Sequence, residues 1–562
     1  MCYLNVTCFS AGQRYRSMKL QKVLSLLLSC CLVAGISACG NQTDLLSDNS
    51  TDSDVKEFTS FFAQKLPEYD QNNEIKNTIT RKLGVKCDEV MLRDGENLDD
   101  IVSKMISSEE YPDFIYAEKQ HPEFLEAGAY IPIDEYWDEC ENLKRMYSDE
   151  CWNRLREDDG HIYIIPIFTS NYMYDTNTVH DSEAFWIQVK VLKWAGYPKI
   201  TTLDEYFDVI ERYLAANPCD EEDGEPNIGY EILTDGYYYF CLENPPQFLD
   251  GYPNDGCCIV DPKTLTAMDY NITDTAKRWF KKLNEEYHKG IIDPESFVLT
   301  KDQYFDKISS GHVLGMVDQR WNFGVAADKL IDEDQYVPIG VVIDKGIEEH
   351  YHSEVAIDVS QGLGITKSCT DIKGAIKFID SLLSPEIHTL RFWGIEGTNY
   401  EKNSDGVFYL TESQRELQGN TGIMLSYAYP LFPYFSGMDQ DGINAFSPIY
   451  QPSEFYEKLS DTMKECLSAY GAHTYVELLN KSEKNPAWFP MWSYSNTFTT
   501  DTDYGRVWND IDSIKHQYLP KVVMSDDFES SWSEYMDVYK SQSNSKILFD
   551  ELTAEVRRRA GK

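Results

Sequence analysis

The sequence predicts an α/β protein. Short stretches of period-two hydrophobicity alternate with amphipathic helical stretches along the chain. No fixed-period repeat and no Pro/Gly/Ser-rich linker divides it, and 562 residues with 42% hydrophobic and 13% aromatic content supply a large core. Strands alternating with helices build layered sheets rather than bundles. At this length the body forms two to four domains, or two large lobes.

Taken in order, residues 73–84 read as a helix, 85–92 as a strand, 98–106 as a helix and 113–116 as a strand ending in a loop. Thr202-Leu203-Asp204-Glu205 is a capping box, with Tyr206, Phe207, Ile210, Tyr213 and Leu214 on one face and Asn217-Pro218 as the stop. Ala276, Trp279, Phe280, Leu283 and Tyr287 mark a second helical stripe, closed by Gly290. Ser384-Pro385 reads as an N-cap with proline at the first helical position, and that helix runs to Trp393-Gly394.

Ahead of this body the first 38 residues carry four basic groups (Arg14, Arg16, Lys19, Lys22), all before an uncharged run of 16 residues, and no acid. That asymmetry is the pattern of a secretory leader. The run is shorter than the roughly 20 residues of a membrane-spanning helix. It ends Ile36-Ser37-Ala38-Cys39-Gly40, which resembles a bacterial lipobox, so Cys39 is expected to carry lipid as the mature N-terminus. Met18 is the expected initiator. Residues 39–55 are too polar to pack and read as a tether reaching about 20–25 Å.

Lys and Arg number 51 against 94 Asp and Glu, a net charge of −43; loss of the leader's four basic residues takes it to −47. Such a surface repels phosphate backbones, which excludes nucleic acid as a partner. Nine cysteines besides Cys39 follow the leader, an odd number without zinc-like spacing. Cys140 and Cys151 can pair; Cys257-Cys258 read as two small buried residues.

Enzyme signatures are absent. With 94 carboxylates, close acidic pairs are inevitable and mark no glycosidase site. There is no H-E-x-x-H, G-x-S-x-G, P-loop or G-x-G-x-x-G, and Gly362-Leu363-Gly364 lacks the third glycine. His350-Tyr351-His352 reads as a solvated surface strand. No catalytic residue and no cofactor is assigned. Two acidic loops, 220–224 and 250–256, offer oxygens for a structural calcium without EF-hand spacing, against the simpler reading of solvated turns.

What stands out is aromatic residues placed beside hydrogen-bonding ones: Asp318-Gln319-Arg320-Trp321-Asn322, Phe392-Trp393-Gly394-Ile395-Glu396-Gly397 and Thr169-Ser170-Asn171-Tyr172. Sugar rings present C–H faces that pack on Trp and Tyr, while their hydroxyls take Asp, Asn and Arg. For any single tryptophan, core packing is the competing reading.

The segment Trp393-Gly394-Ile395-Glu396-Gly397-Thr398-Asn399-Tyr400 resembles the W/Y-G-x-E-G-x-x-Y stretch of extracellular solute-binding lipoproteins that serve bacterial ABC importers, mostly for oligosaccharides. Tyr111 to Tyr116 is similar to that family's "PDI" strand, and Asp159 to Pro166 to its "dGkiYgiP" crossing. Trp186-Ile187 through Tyr206 is similar to its helix and capped turn, and Leu283 to Asp293 with Ser310 to Met316 to its "LyxxGlid … sGkvgm" pattern. The ordered set spans about residues 56–555.

The resemblance implies a two-lobed, type II periplasmic-binding-protein-like fold joined by crossing strands. One lobe takes about 56–165 with part of 320–400, the other about 166–320 with much of 400–562. It implies a lipid-anchored, monomeric receptor on the extracellular side of the cell membrane that passes a carbohydrate to permease subunits. Ligand-facing candidates are Tyr116, Ser170, Asn171, Tyr172, Trp186, Asp318, Arg320, Trp321, Trp393 and Glu396, led by Trp321 and Asn171. Glu396 and Trp186 also fit loop-pinning and core roles. Three stretches depart from the family pattern: 217–224, where relatives carry a calcium loop; Gln188-Val189-Lys190; and 489–509, which matches no motif. The rival readings are a surface-anchored glycoside hydrolase or polysaccharide-processing enzyme, and a receptor for a peptide or other solute.

Overall fold

The computed structural model describes residues 55–65, 72–167, 175–220, 223–353, 357–419, 428–439, 441–481 and 485–562. The leader, Cys39, almost all of the tether, Ser170, Asn171 and Tyr172 lie outside them. Eight strands build the two larger sheets: β1 (Lys56–Phe62), β2 (Val85–Met91), β3 (Phe114–Tyr116), β4 (Ile164–Ile165), β5 (Glu183–Gln188), β6 (Gly315–Gln319), β7 (Tyr336–Ile339) and β8 (Leu363–Ile365). The first sheet has the order β2-β1-β3-β8-β4, with β1 parallel to β2 and β3 and with β8 antiparallel to β3 and β4. The second is antiparallel, β6-β5-β7. Helices cover both, as an α/β layer architecture requires.

Two hydrophobic cores result. One gathers buried residues of 58–167, 357–387 and 428–446; the other gathers 184–351 and 455–556. The chain therefore changes lobe three times, between 167 and 184, between 351 and 357, and between 446 and 455. Residues 323–351 side with the second core and 428–446 with the first. Trp393, Tyr400 and Leu410 form a separate small cluster. No helix among the described residues is long and apolar enough to cross a membrane.

Local signals set the element ends. Asn73 accepts from Lys76 N and Gly84 closes the helix Glu74–Leu83 at φ +66°. Thr202 and Glu205 form the reciprocal capping box of the helix Leu203–Ala216. Ser384 precedes the helix Pro385–Phe392, yet its hydroxyl donates to Ser381 O instead of capping. Gly364 is structural: a Cβ there would lie 2.4 Å from the Tyr130 ring.

Two sequence expectations are corrected. Residues 350–352 are not a strand, and His352 is drawn inward by Asp175. Cys140 and Cys151 are both free thiols, as are the other seven. The unplaced 489–509 stretch belongs to the second lobe: Phe489 and Met491 are core residues, with Trp492 and Tyr494 packed against them.

Candidate functional site

The candidate site is built where the first sheet's strand ends face the second lobe. β3 ends at Tyr116, whose buried ring donates its hydroxyl to Gln361 Oε1 at 2.7 Å. Gln361 in turn donates to Asp358 Oδ2 at 2.7 Å, and Ser360 donates to Asp358 Oδ1 from both its amide and its hydroxyl. Burial pushes the Asp358 carboxyl above the usual carboxylate range. Just past β3, the turn Glu118–Gln120 carries Lys119, and Gln64 bonds Glu118.

The second lobe answers with aromatic surface. The turn Gly236–Tyr239 runs into the helix Phe240–Glu243 and leaves Tyr237 65% exposed. Trp321, in the first turn of the helix Arg320–Ala327 after β6, is 50% exposed. Phe240 lies between them, its ring centroid 5.9 Å from that of Tyr237 and 6.1 Å from that of Trp321. Tyr238 is held by Lys301, whose ammonium is 4.6 Å from its centroid. Across the cleft, Lys119 Nζ stands 5.2 Å from the Tyr237 centroid, in cation–π range. An exposed aromatic ridge facing a wall of hydrogen-bonding groups suits a ligand with apolar faces and polar edges.

Where the chain changes lobe, side chains tie the crossings together. Asp175 Oδ2 meets His352 Nε2 at 2.6 Å, His352 Nδ1 meets His180 Nδ1 at 3.2 Å, and His180 Nε2 meets Glu183 O at 3.2 Å. Tyr450 donates to Asp181 Oδ2 at 3.3 Å. Burial lowers His180 to about 3, so it is neutral, while the hydrogen bond between Asp175 and His352 holds Asp175 below the usual carboxylate range against burial.

The fold is that of solute-binding proteins. An HMO-binding, ABC-transporter-associated solute-binding protein from Bifidobacterium longum infantis matches with TM-score 0.63 at 14% identity, over 89% of this chain and 98% of that one. The S. pneumoniae ABC-transporter substrate-binding protein FusA in complex with kestose matches with TM-score 0.61 at 16% identity, over 90% and 100%. The alginate-binding protein AlgQ2 without calcium ion matches with TM-score 0.59 at 15% identity, over 90% and 99%. No protein-family model and no curated protein matches the chain. The likeness is therefore one of fold.

Within this solute-binding fold the predicted residues divide. Trp321 is on the exposed ridge. Asp318, fully buried, positions it: its carboxylate accepts from Tyr304 Oη, Asn322 Nδ2 and Gln319 N at 2.7–3.1 Å, which fixes the first turn of the Trp321 helix. Burial raises Asp318 to about 6. Arg320 is engaged along its own helix with Asp328 at 3.2 Å. Tyr116 is fully buried and belongs to the wall through its hydroxyl bond to Gln361.

Two expectations are corrected. Trp186 is completely buried, donating to Asp318 O at 2.8 Å and packed edge-on against Phe323. Trp393 is buried too, donating to Ala445 O at 3.0 Å and packed with Tyr400 and Phe408. Neither indole reaches a solute, because each is walled by its own cluster; Glu396 lies exposed on the loop beside Trp393. Sequence reasoning missed Lys119, Asp358, Gln361, Tyr237 and Phe240. The run Tyr237-Tyr238-Tyr239-Phe240 was the available signal, since four successive aromatics on a tight turn cannot all face inward.

Neither acidic loop presents a complete oxygen set for calcium among its described residues, and Glu221 and Glu222 lie outside them. Asp220, Asp223 and His312 approach one another, but calcium takes six to eight oxygens. The Lys190 ammonium already lies 3.4 Å from Asp220, with Asp334 at 2.9 Å and Gly311 O at 2.8 Å. In the 250–256 loop, Asp255 spends its carboxylate on Cys257 N and Met491 N.

Proposed function

We propose that this protein is a lipid-anchored extracellular receptor that captures an uncharged carbohydrate, an oligosaccharide, in the cleft between its lobes and delivers it to an ABC permease. The observation that carries the reading is the pair of exposed rings Tyr237 and Trp321, bridged by the buried Phe240, opposite the Tyr116–Gln361–Asp358 wall. Rings of a sugar chain stack on the ridge, each good aromatic contact contributing about 0.5–1.5 kcal/mol beyond the area it buries. Hydroxyls take the polar wall and closure of the lobes excludes water. The solved structures of the same fold named as binding HMO, alginate and kestose support a carbohydrate ligand. The net charge of −43 opposes an anionic one. The lipobox-like Cys39 supports the anchor, and the fold supports the permease.

Incubation of residues 40–562 with a panel of neutral oligosaccharides, read by tryptophan fluorescence and by product formation, tests the proposal. Saturable quenching with the sugar recovered intact is expected. Multiple turnover would overturn the receptor reading.

A further inference from the structure

We infer that residues 487–490 are a clasp held from opposite sides by Arg154 of the first lobe and Arg559 of the second, and that the clasp sets how readily the cleft opens without touching its contents. Arg154 ends the helix Asp149–Arg154, anchored in the first core by Trp152. Its Nη1 donates to Phe489 O at 2.9 Å and its Nη2 to Ala487 O at 2.6 Å, with Glu150 beside it at 3.5 Å. Arg559, in the last helix, Ser545–Arg559, donates from Nη1 to Pro490 O at 2.5 Å and to Trp488 O at 3.2 Å. Glu555 aims that guanidinium through a 2.6 Å bond to Nε. Four successive carbonyls thus alternate between the lobes.

The segment itself moves with the second lobe. Trp488, Phe489 and Met491 are buried in the second core, and Met491 N donates to Asp255 at 2.7 Å. The two Arg154 bonds are therefore bonds between lobes, made by residues outside the three crossing segments, and a motion that parts the lobes at this point has to break them. Arg154 is largely buried, at 13% side-chain exposure, so its charge-assisted bonds are strong while made, and their loss leaves a guanidinium to rehydrate. Such a contact divides open from closed sharply. The affinity of a receptor that binds in its closed state scales with the fraction closed, so Arg154 tunes affinity from outside the cleft. The clasp also gives a role to the start of the 489–509 stretch.

The test needs no sugar, so it stands apart from the receptor reading. The purified, solute-free protein is compared with Arg154→Met and Arg154→Lys by small-angle scattering and amide hydrogen exchange. Arg154→Met keeps the aliphatic packing and loses both donors. Its radius of gyration is expected to rise, with the amides of Trp488 and Phe489 exchanging about tenfold faster; Arg154→Lys, with a single point donor, falls between. An unchanged radius of gyration in Arg154→Met overturns the clasp whether or not exchange quickens, since a local role loosens the segment alone. If Arg154→Met does not fold, the scattering of Arg154→Lys decides in the same way.

Discussion

Lys119 Nζ lies 5.2 Å from the ring centroid of Tyr237, and the two residues belong to different lobes. The ammonium therefore occupies the aromatic face that a sugar ring would use, and a ligand has to displace it. A cation–π contact at an exposed site contributes about 0.5–1 kcal/mol, comparable to one stacked ring, so the exchange is close to balanced. Tyr237→Ala removes the platform and is expected to weaken oligosaccharide binding about fivefold, whereas Tyr237→Phe keeps the ring face and binds nearly as wild type. Fluorescence titration checks both, and equal affinities for Tyr237→Ala and wild type would count against the ridge.

Trp321 is expected to report ligand. Of 11 tryptophans, it and Trp194 are the two in the described residues with large exposure, 50% and 45%. Trp194 packs edge-on against Tyr213 on a different helix. Trp321→Phe should abolish most of the ligand-induced quenching and Trp194→Phe should leave it intact. The reverse pattern would move the site to another face.

Stability should fall as pH rises from about 6.5 to about 8. Burial holds Glu231 up at about 8 and Glu243 at about 7 in the fold, while free glutamate titrates near 4.5. In this window the folded protein keeps protons that the unfolded chain has released, so stability present at lower pH is lost as pH climbs through the folded values. The buried histidines His121 and His180, lowered to about 4 and about 3, act oppositely but only below the ordinary histidine range. Glu231→Gln should flatten the dependence, by on the order of 2 kcal/mol between these limits. Thermal melts across the window measure it; a melting temperature that rises toward pH 8 would contradict the assignment.

Cys39→Ala should release the protein from the membrane fraction. The uncharged run before it is shorter than a spanning helix, so lipid is the proposed anchor. Fractionation followed by immunoblotting reads the result, and continued sedimentation of the variant with membranes would refute the lipid anchor.

Much of the fold was legible because its signals are local. Asn73 and Gly84 bracket a helix by capping chemistry that needs nothing beyond four neighbouring residues, and Thr202–Glu205 does the same. The sheet order was not. β8 sits between β3 and β4 although some 200–250 residues of chain separate it from them, and periodicity carries no pairing partner. Ser384 shows the limit even locally, since a competing carbonyl at Ser381 took its hydroxyl.

The sequence alone determined the α/β class, the leader pattern ending at Cys39, the acidity and the supply of aromatic residues. Tertiary structure decided which aromatics are available. Trp186, Trp321 and Trp393 sit in similar mixed contexts in sequence, yet neighbours from distant segments enclose Trp186 and Trp393 and leave Trp321 in the cleft. Exposure is a property of what packs on a side chain, and partners such as Phe323 over Trp186 and Ala445 at Trp393, 137 and 52 residues along the chain, are named by no local pattern.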